Sequence, residues 1–272
     1  MSLYIKVYQR LYKLKRLVNP LIRYRKERKL VEMRKKFYAS FLKENDLCFD
    51  IGANFGNRVK TFVDLKARVV AVEPQKKCCD HLQRKFRNKI TVINKGVGAR
   101  QEMKNFYEAD LSTLSTFSKE WINTVKETRF KRHAWRDAQQ IEVITLDKLI
   151  EEFGVPSFIK IDVEGYEAEV LSGLDTPINM ISFEYTVPEK IDRIITCIRK
   201  IESLNNDIEC NFSERESMRF NLAKWVKVPE MLNIINTTEF IATSVGDIYL
   251  RLCIKDIPNN KNGQQYALVS EA

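Results

Sequence analysis

The sequence predicts an α/β protein of the Rossmann-like kind, an open and mostly parallel sheet with helices on both faces. Three observations carry that prediction. The apolar run Leu47-Cys48-Phe49-Asp50-Ile51 breaks into the glycine turn Gly52-Ala53-Asn54-Phe55-Gly56, a second apolar run Val69-Val70-Ala71-Val72 closes on Glu73, and helical and strand patterns then alternate to about residue 255. A strand ending in Asp50 enters a turn where Gly52 and Gly56 supply open dihedrals, and a helix starting near Asn57 would offer free amide hydrogens to an anionic group. Glu73 follows at about the separation from which an acid closing the second strand reaches ribose hydroxyls.

The loop narrows the choice of ribose ligand. Dinucleotide sites use G-x-G-x-x-G, whereas Ala53 and Asn54 here place side chains where a pyrophosphate needs room. A phosphate loop of the form G-x-x-x-x-G-K-[ST] is absent, and Arg58 is not placed to replace its lysine. A short glycine turn preceded by an acid suits a zwitterionic amino-acid tail, with loop amides for its carboxylate and Asp50 with its waters for its ammonium. That ligand is S-adenosylmethionine.

Charge is unevenly distributed. Residues 1–36 carry thirteen Lys or Arg against Glu27 and Glu32, a net +11 in a chain whose total is +10, so the rest is near neutral. Within this arm Leu3, Val7, Leu11, Leu14 and Val18 recur at helical spacing beside Lys6, Arg10, Lys13 and Arg16, which predicts a basic amphipathic helix ended or bent at Pro20. The helix suits an anionic membrane surface, touched through residues 1–20, or packing on the domain; nucleic acid is disfavoured because no recognisable binding module accompanies it. A second stripe, Leu30, Met33, Phe37 and Phe41, precedes the first strand. The organisation expected is a basic helical arm over 1–44, a catalytic domain over 45–257 and a polar tail over 258–272.

Composition sets limits without selecting a function. With 44% hydrophobic and 30% charged residues the balance is that of a globular domain, and no run approaches the ~20 apolar residues of a membrane span. Six cysteines form no C-x-x-C pair and two distant histidines leave a zinc site little to work with, which fits a reducing cytoplasm, with peripheral membrane attachment through the arm as an addition.

Beyond Glu73, Lys76 to Phe86 reads as a helix and Ile90 to Asn94 as a third strand, followed by a turn Lys95-Gly96-Val97-Gly98 placed to line the adenine. Lys104 to Tyr107 and Ile141 to Leu146 read as short strands around an insert containing Trp121, Phe130, His133 and Trp135, either a lid or a surface helix. The strand Phe158-Ile159-Lys160-Ile161 delivers Asp162 and then Glu164 to the carboxyl edge where open sheets hold ligands, and Met180 to Tyr185 brings Glu184 to the same rim. The sheet is expected to end with Asp207 to Phe212 and Asp247 to Lys255.

Taken together, Phe49-Asp50-Ile51-Gly52-Ala53-Asn54, Val72-Glu73-Pro74, Thr145-Leu146-Asp147, the block from Lys160 to Gly173 with its K-I-D-V-E-G-x-E core, and Phe183-Glu184 resemble the FkbM family of S-adenosylmethionine-dependent methyltransferases, from about Asp46 to Tyr185. The resemblance implies a class I methyltransferase sheet of six parallel strands and a last antiparallel one, and O-methylation of a sugar hydroxyl in a glycan, glycolipid or glycosylated natural product. The cofactor-binding residues are then expected to be Asp50, Gly52, Ala53, Asn54, Gly56, Glu73, Pro74 and Val97, and the catalytic candidates Asp162, Glu164 and Glu184. No metal ligand is assigned; a divalent cation bridging Asp162 and Glu184 is the weaker way to activate a hydroxyl. A nucleic-acid methyltransferase using the basic arm and a non-catalytic, membrane-recruited scaffold are the alternative readings.

Overall fold

The computed structural model of the chain describes residues 20–253, with side chains from residue 28 onward. The apolar stripe Leu3 to Val18, the membrane contact expected of it and the polar tail lie outside the described residues.

The main sheet has eight strands in the order β10-β9-β11-β8-β7-β1-β2-β3. In chain order they are β1 (Leu47–Ile51), β2 (Arg68–Val72), β3 (Ile90–Ile93), β7 (Phe158–Ile161), β8 (Met180–Thr186), β9 (Ile208–Glu214), β10 (Val226–Lys227) and β11 (Val245–Leu252). Strands β3, β2, β1, β7 and β8 are mutually parallel, and β11 runs antiparallel between β8 and β9. The two-residue β10, antiparallel to β9, adds an edge strand to the seven that the resemblance implies. The polypeptide changes direction of travel across the sheet between β1 and β7, and open α/β sheets place ligands at such switch points.

Strand alternation divides the core. Phe49 and Ile51 go with Val70, Val72, Ile159, Ile161 and Phe183 to one face, which the helices Leu146–Phe153, Glu167–Leu171 and Ile191–Leu204 cover. Cys48, Val69, Ala71, Phe158 and Tyr249 go to the other, covered by Asn57–Asp64, Lys76–Phe86 and the end of Pro20–Tyr38. All five residues of β1 are buried, as a central parallel strand with both faces covered requires.

The basic arm is less separate than a boundary at residue 44 implies. Phe37, Tyr38 and Leu42 are buried in the second core, where Phe37 packs edge-to-face on Tyr249 and Tyr38 on Phe62, at ring-centroid distances of 5.5 and 5.0 Å. Aromatic pairs of this kind contribute about 0.5–1.5 kcal/mol each beyond area burial. Phe41 follows the helix rather than belonging to it, and Met33 is exposed.

A second, three-stranded sheet stands beside the first, in the order β4-β6-β5, with β4 (Gly96–Val97), β5 (Glu102–Phe106) and β6 (Gln139–Ile144). The segment expected as a free turn at Val97 is therefore a short strand: Gly96 lies so close to Phe117 and Val143 that a Cβ would fall 2.4 Å from the Phe117 ring. The insert between β5 and β6 contains the surface helix that is one of the two expectations for it. Its helix Lys119–Glu127 is an anchored surface helix with Trp121, Ile122 and Val125 buried, while residues 112–117 reach over the carboxyl edge of the main sheet.

Candidate active site

A cavity of about 280 Å³ opens at that carboxyl edge. Its lining includes Asp50, Gly52, Ala53, Asn54, Glu73, Pro74 and Val97 on one side and Asp162, Glu164 and Glu184 on the other. Gly56 does not line it. That glycine adopts φ 77° as the residue preceding helix Asn57–Asp64, and a Cβ there would sit 2.5 Å from Leu82 and 2.8 Å from Phe86, so it permits packing rather than ligand approach. Gly52 does border the cavity, but its side chain is excluded by protein: at φ 83° a Cβ would lie 1.9 Å from the Asp162 carbonyl oxygen.

The glycine loop is satisfied from within. The amides of Gly52 and Ala53 donate to Val72 O at 2.9 and 3.2 Å, and Gly56 N donates to Ala53 O at 2.9 Å. Asn54 N donates to Glu73 Oε2 at 2.8 Å and Phe55 N to Asn54 Oδ1 at 2.9 Å. The expectation that loop amides hold a ligand carboxylate is thus corrected, because all five are engaged. Glu73 takes its second amide from Gln75 at 2.8 Å, so its carboxylate joins the first and second loops and keeps one lone pair on each oxygen for further donors. It is buried, which raises it above the usual carboxylate range against the two amide bonds.

Strand register joins this corner to the opposite one. Directly paired residues share a face, and Asp50 pairs with Lys160, Lys160 with Ser182, and Ser182 with Tyr249. One step toward the edge, Glu184 pairs with Asp247. Lys160 is wholly buried; its Nζ lies 2.9 Å from Asp247 Oδ1 and 3.3 Å from Asp162 Oδ2. Burial alone would discharge this ammonium, but Asp162 and Asp247 outweigh it and hold the group well above the ordinary lysine range. Lys160 and Asp247 escaped the sequence reading as functional residues, although a lysine inside an otherwise apolar strand is a signal that could have found the first.

Asp162, Glu164 and Glu184 converge, with one carboxylate oxygen from each lying within 4.8 Å of the others. Burial, and next the charge of Asp162, drive Glu164 and Glu184 well above the usual range. Neither glutamate forms an ion pair among the described residues. Hard oxygen donors in this number could also hold a divalent cation. Asp50 is buried, and desolvation pushes it up to about 7 in spite of Lys160 and Arg58.

The loop presenting Glu164 is held from outside. Glu164 has φ 54°, a conformation rare for a side-chain-bearing residue. Thr116 Oγ1 donates to Glu164 O at 2.9 Å, and Glu167 accepts from Gly165 N at 3.1 Å. Trp121 lies against Gly165, where a Cβ would be 2.2 Å from its ring. From the same insert, Ser112 O accepts from Gln75 Nε2 at 3.0 Å, so residues 112–121 bridge both corners.

Comparison with known proteins agrees with this geometry. A family model described as the methyltransferase FkbM domain matches residues 50–211. A hexuronic acid methyltransferase, AglP of Haloferax volcanii, is 28% identical over 145 residues, which are 52% of this chain and 54% of that protein, so the chain spans about half the length of this relative. Among solved structures, a TehB-like SAM-dependent methyltransferase from Corynebacterium glutamicum is 9% identical with a TM-score of 0.43, covering 91% of this chain and 96% of that one. A precorrin-6y C5,15-methyltransferase from Geobacter metallireducens is 12% identical with a TM-score of 0.40, covering 80% and 85%. Scores of that size carry no weight of their own; the strand order of the main sheet does.

Proposed function

The chain belongs to the FkbM methyltransferase family, and from that premise we propose that it transfers the methyl group of S-adenosylmethionine to a sugar hydroxyl of a glycan, glycolipid or glycosylated natural product. The observation that carries the reading is the single cavity bordered at once by the glycine loop with Glu73 and by Asp162, Glu164 and Glu184. The name of the haloarchaeal relative, a hexuronic acid methyltransferase, supports a carbohydrate acceptor. Residues 45–257 form the catalytic unit, with the end of helix Pro20–Tyr38 packed on it.

In this reading Glu73 accepts hydrogen bonds from the ribose hydroxyls, and Asn54, Pro74 and Val97 border the nucleoside. The sulfonium is already activated, so the protein's tasks are to align the acceptor oxygen with the methyl carbon and to exclude water. As the new O–C bond forms, the C–S bond breaks, sulfur keeps the electron pair as a neutral thioether, and the hydroxyl proton leaves to a base. Asp162 is that base: it has Lys160 beside it at 3.3 Å, whereas Glu164 and Glu184 form no ion pair among the described residues and are driven by burial well above the usual carboxylate range, so they bind a proton more tightly. The two glutamic acids then orient the acceptor. A carboxylate acting in this way contributes about 10²- to 10⁴-fold.

Transfer of tritiated methyl from S-adenosylmethionine to fractionated cell glycans and lipids tests the proposal. Label should enter a glycosidase-sensitive fraction and withstand nuclease. Label confined to RNA, or to none of the fractions, would contradict it. A chelator should leave the rate unchanged; loss of transfer restored by Mg²⁺ would replace Asp162 with a bound cation as the activating group.

A further inference from the structure

The loop that should bind the cofactor's methionine carboxylate has no amide to give it, since those of Gly52 to Gly56 are all committed to acceptors inside the protein. Yet the cofactor ends in a carboxylate that has to be met when it leaves water. Among the described residues, Arg58 and Lys95 are the cations that border the cavity. Lys95 stands next to Gly96 and Val97, at the adenine end, and is paired with Glu142 at 2.5 Å. Arg58, on the first turn of helix Asn57–Asp64, is at the glycine-loop end.

Arg58 is built into its position. Its Nη1 and Nη2 donate to Glu216 Oε2 and Oε1 at 3.0 and 2.9 Å, a bidentate fork, and Glu216 also accepts from Arg34 Nη2 at 3.1 Å. Two guanidiniums thus share one carboxylate, and the cluster carries one positive charge in excess. Only 13% of the Arg58 side chain is exposed, and its buried Nε makes no hydrogen bond. Asn57 and Arg58 both border the cavity, and their amides precede the earliest bond of the helix, Lys60 N to Gly56 O, so the helix itself leaves them unpaired. Arg34 and Glu216 both lie outside residues 50–211, so the family match does not include this arrangement.

We propose that Arg58, clamped by Glu216 and Arg34 and assisted by the first-turn amides of its helix, is the residue that recognises the carboxylate of the cofactor's methionine tail. The excess of one positive charge matches the single negative charge of that group, and the fork to Glu216 leaves one further hydrogen on each terminal guanidinium nitrogen for it. The inference rests on the proposed S-adenosylmethionine site and names the contact that sets its preference for an amino-acid tail. It also gives the N-terminal helix a part in cofactor binding, through Arg34.

Calorimetry with two ligands tests it: S-adenosylmethionine and its decarboxylated analogue, which keeps the sulfonium and the ammonium but lacks the carboxylate. The wild-type protein should favour S-adenosylmethionine by at least about tenfold, as a charge-assisted hydrogen bond to a carboxylate warrants. In Arg58→Met the preference should collapse toward unity through weaker binding of S-adenosylmethionine, with the decarboxylated ligand little changed. Arg58→Lys, which keeps the charge without the fork, should fall between and serves where Arg58→Met does not fold. Equal affinities in the wild-type protein, or an undiminished preference in either variant, would overturn the assignment. Binding of neither ligand by the wild-type protein would instead overturn the cofactor reading on which it stands.

Discussion

The two corners of the cavity contain the same kinds of residue in opposite states. At the glycine loop Glu73 has an amide on each oxygen and the amides of residues 52–56 are engaged, so the backbone there is fixed before any ligand arrives. At the β7–β8 rim Glu164 sits at φ 54°, and it and Glu184 are crowded by Asp162 with Lys160 as the adjoining cation. The loop backbone of the first corner is set by these hydrogen bonds, although Asn54 there has φ 47° and Asp50 Oδ2 is buried without a hydrogen-bond partner. The second retains unspent electrostatic energy, which a bound sulfonium and an acceptor hydroxyl would relieve. Local conflicts of this kind are expected at functional sites, and here they are densest where three carboxyl groups meet.

The largest effect should come from joining the corners too tightly. Gly52→Val forces a side chain into the Asp162 carbonyl, and it should destabilise the domain by at least about 3 kcal/mol in urea denaturation, losing cofactor binding as a consequence. A folded Gly52→Val protein of normal stability would mean that the corners are not in contact as described.

At the rim, Asp162→Asn should cut methyl transfer at least about tenfold while changing cofactor affinity less. Glu184→Gln should cost less than Asp162→Asn, because an amide keeps a donor and an acceptor with which to orient the acceptor hydroxyl but cannot take its proton. Equal losses would remove the distinction drawn between base and orienting acids. At the loop, Glu73→Ala should weaken S-adenosylmethionine by about 1.5–3 kcal/mol in calorimetry. An unchanged affinity would leave the ribose without its expected partner.

The smallest effect is a pH dependence of stability. Burial pushes Asp50 up to about 7 and drives Glu164 and Glu184 well above the usual carboxylate range. These values lie above those of the unfolded chain, so the native state binds more protons in the window between them, and the carboxyls' contribution to stability falls as pH rises through it. Removing one such group should flatten the trend: Glu184→Gln should lose less stability than wild type as pH rises from the ordinary carboxylate range upward in the cofactor-free protein, read by urea denaturation at a series of pH values. Parallel pH profiles would mean that the rim is not strained.

Much of this was legible before the structure. Asp50, Glu73, Asp162 and Glu184 each close an apolar run, and a strand ending in an acid at the carboxyl edge of a parallel sheet can be read one run at a time. The Lys160–Asp247 pair was not legible in that way. It depends on β11 returning from the end of the chain to lie beside β8, and on a register that aligns Asp247 with Glu184 and Tyr249 with Ser182. The state of the loop was hidden for a different reason. The sequence Gly52-Ala53-Asn54-Phe55-Gly56 permits amides that face a ligand or amides that turn inward, and only the position of Val72 O and Glu73 decides between them. Gly56 was identified correctly as a glycine that the turn requires, but its cause is the packing of Leu82 and Phe86 behind it.

The division between a binding corner and a reacting corner is tested most directly by measuring cofactor affinity and single-turnover methyl transfer on the same preparations of Glu73→Ala and Asp162→Asn. The account predicts a double separation, with affinity lost and the saturated rate largely kept in Glu73→Ala, and affinity kept and the rate lost in Asp162→Asn. Variants that lose both quantities in parallel, or that exchange the two phenotypes, would contradict it.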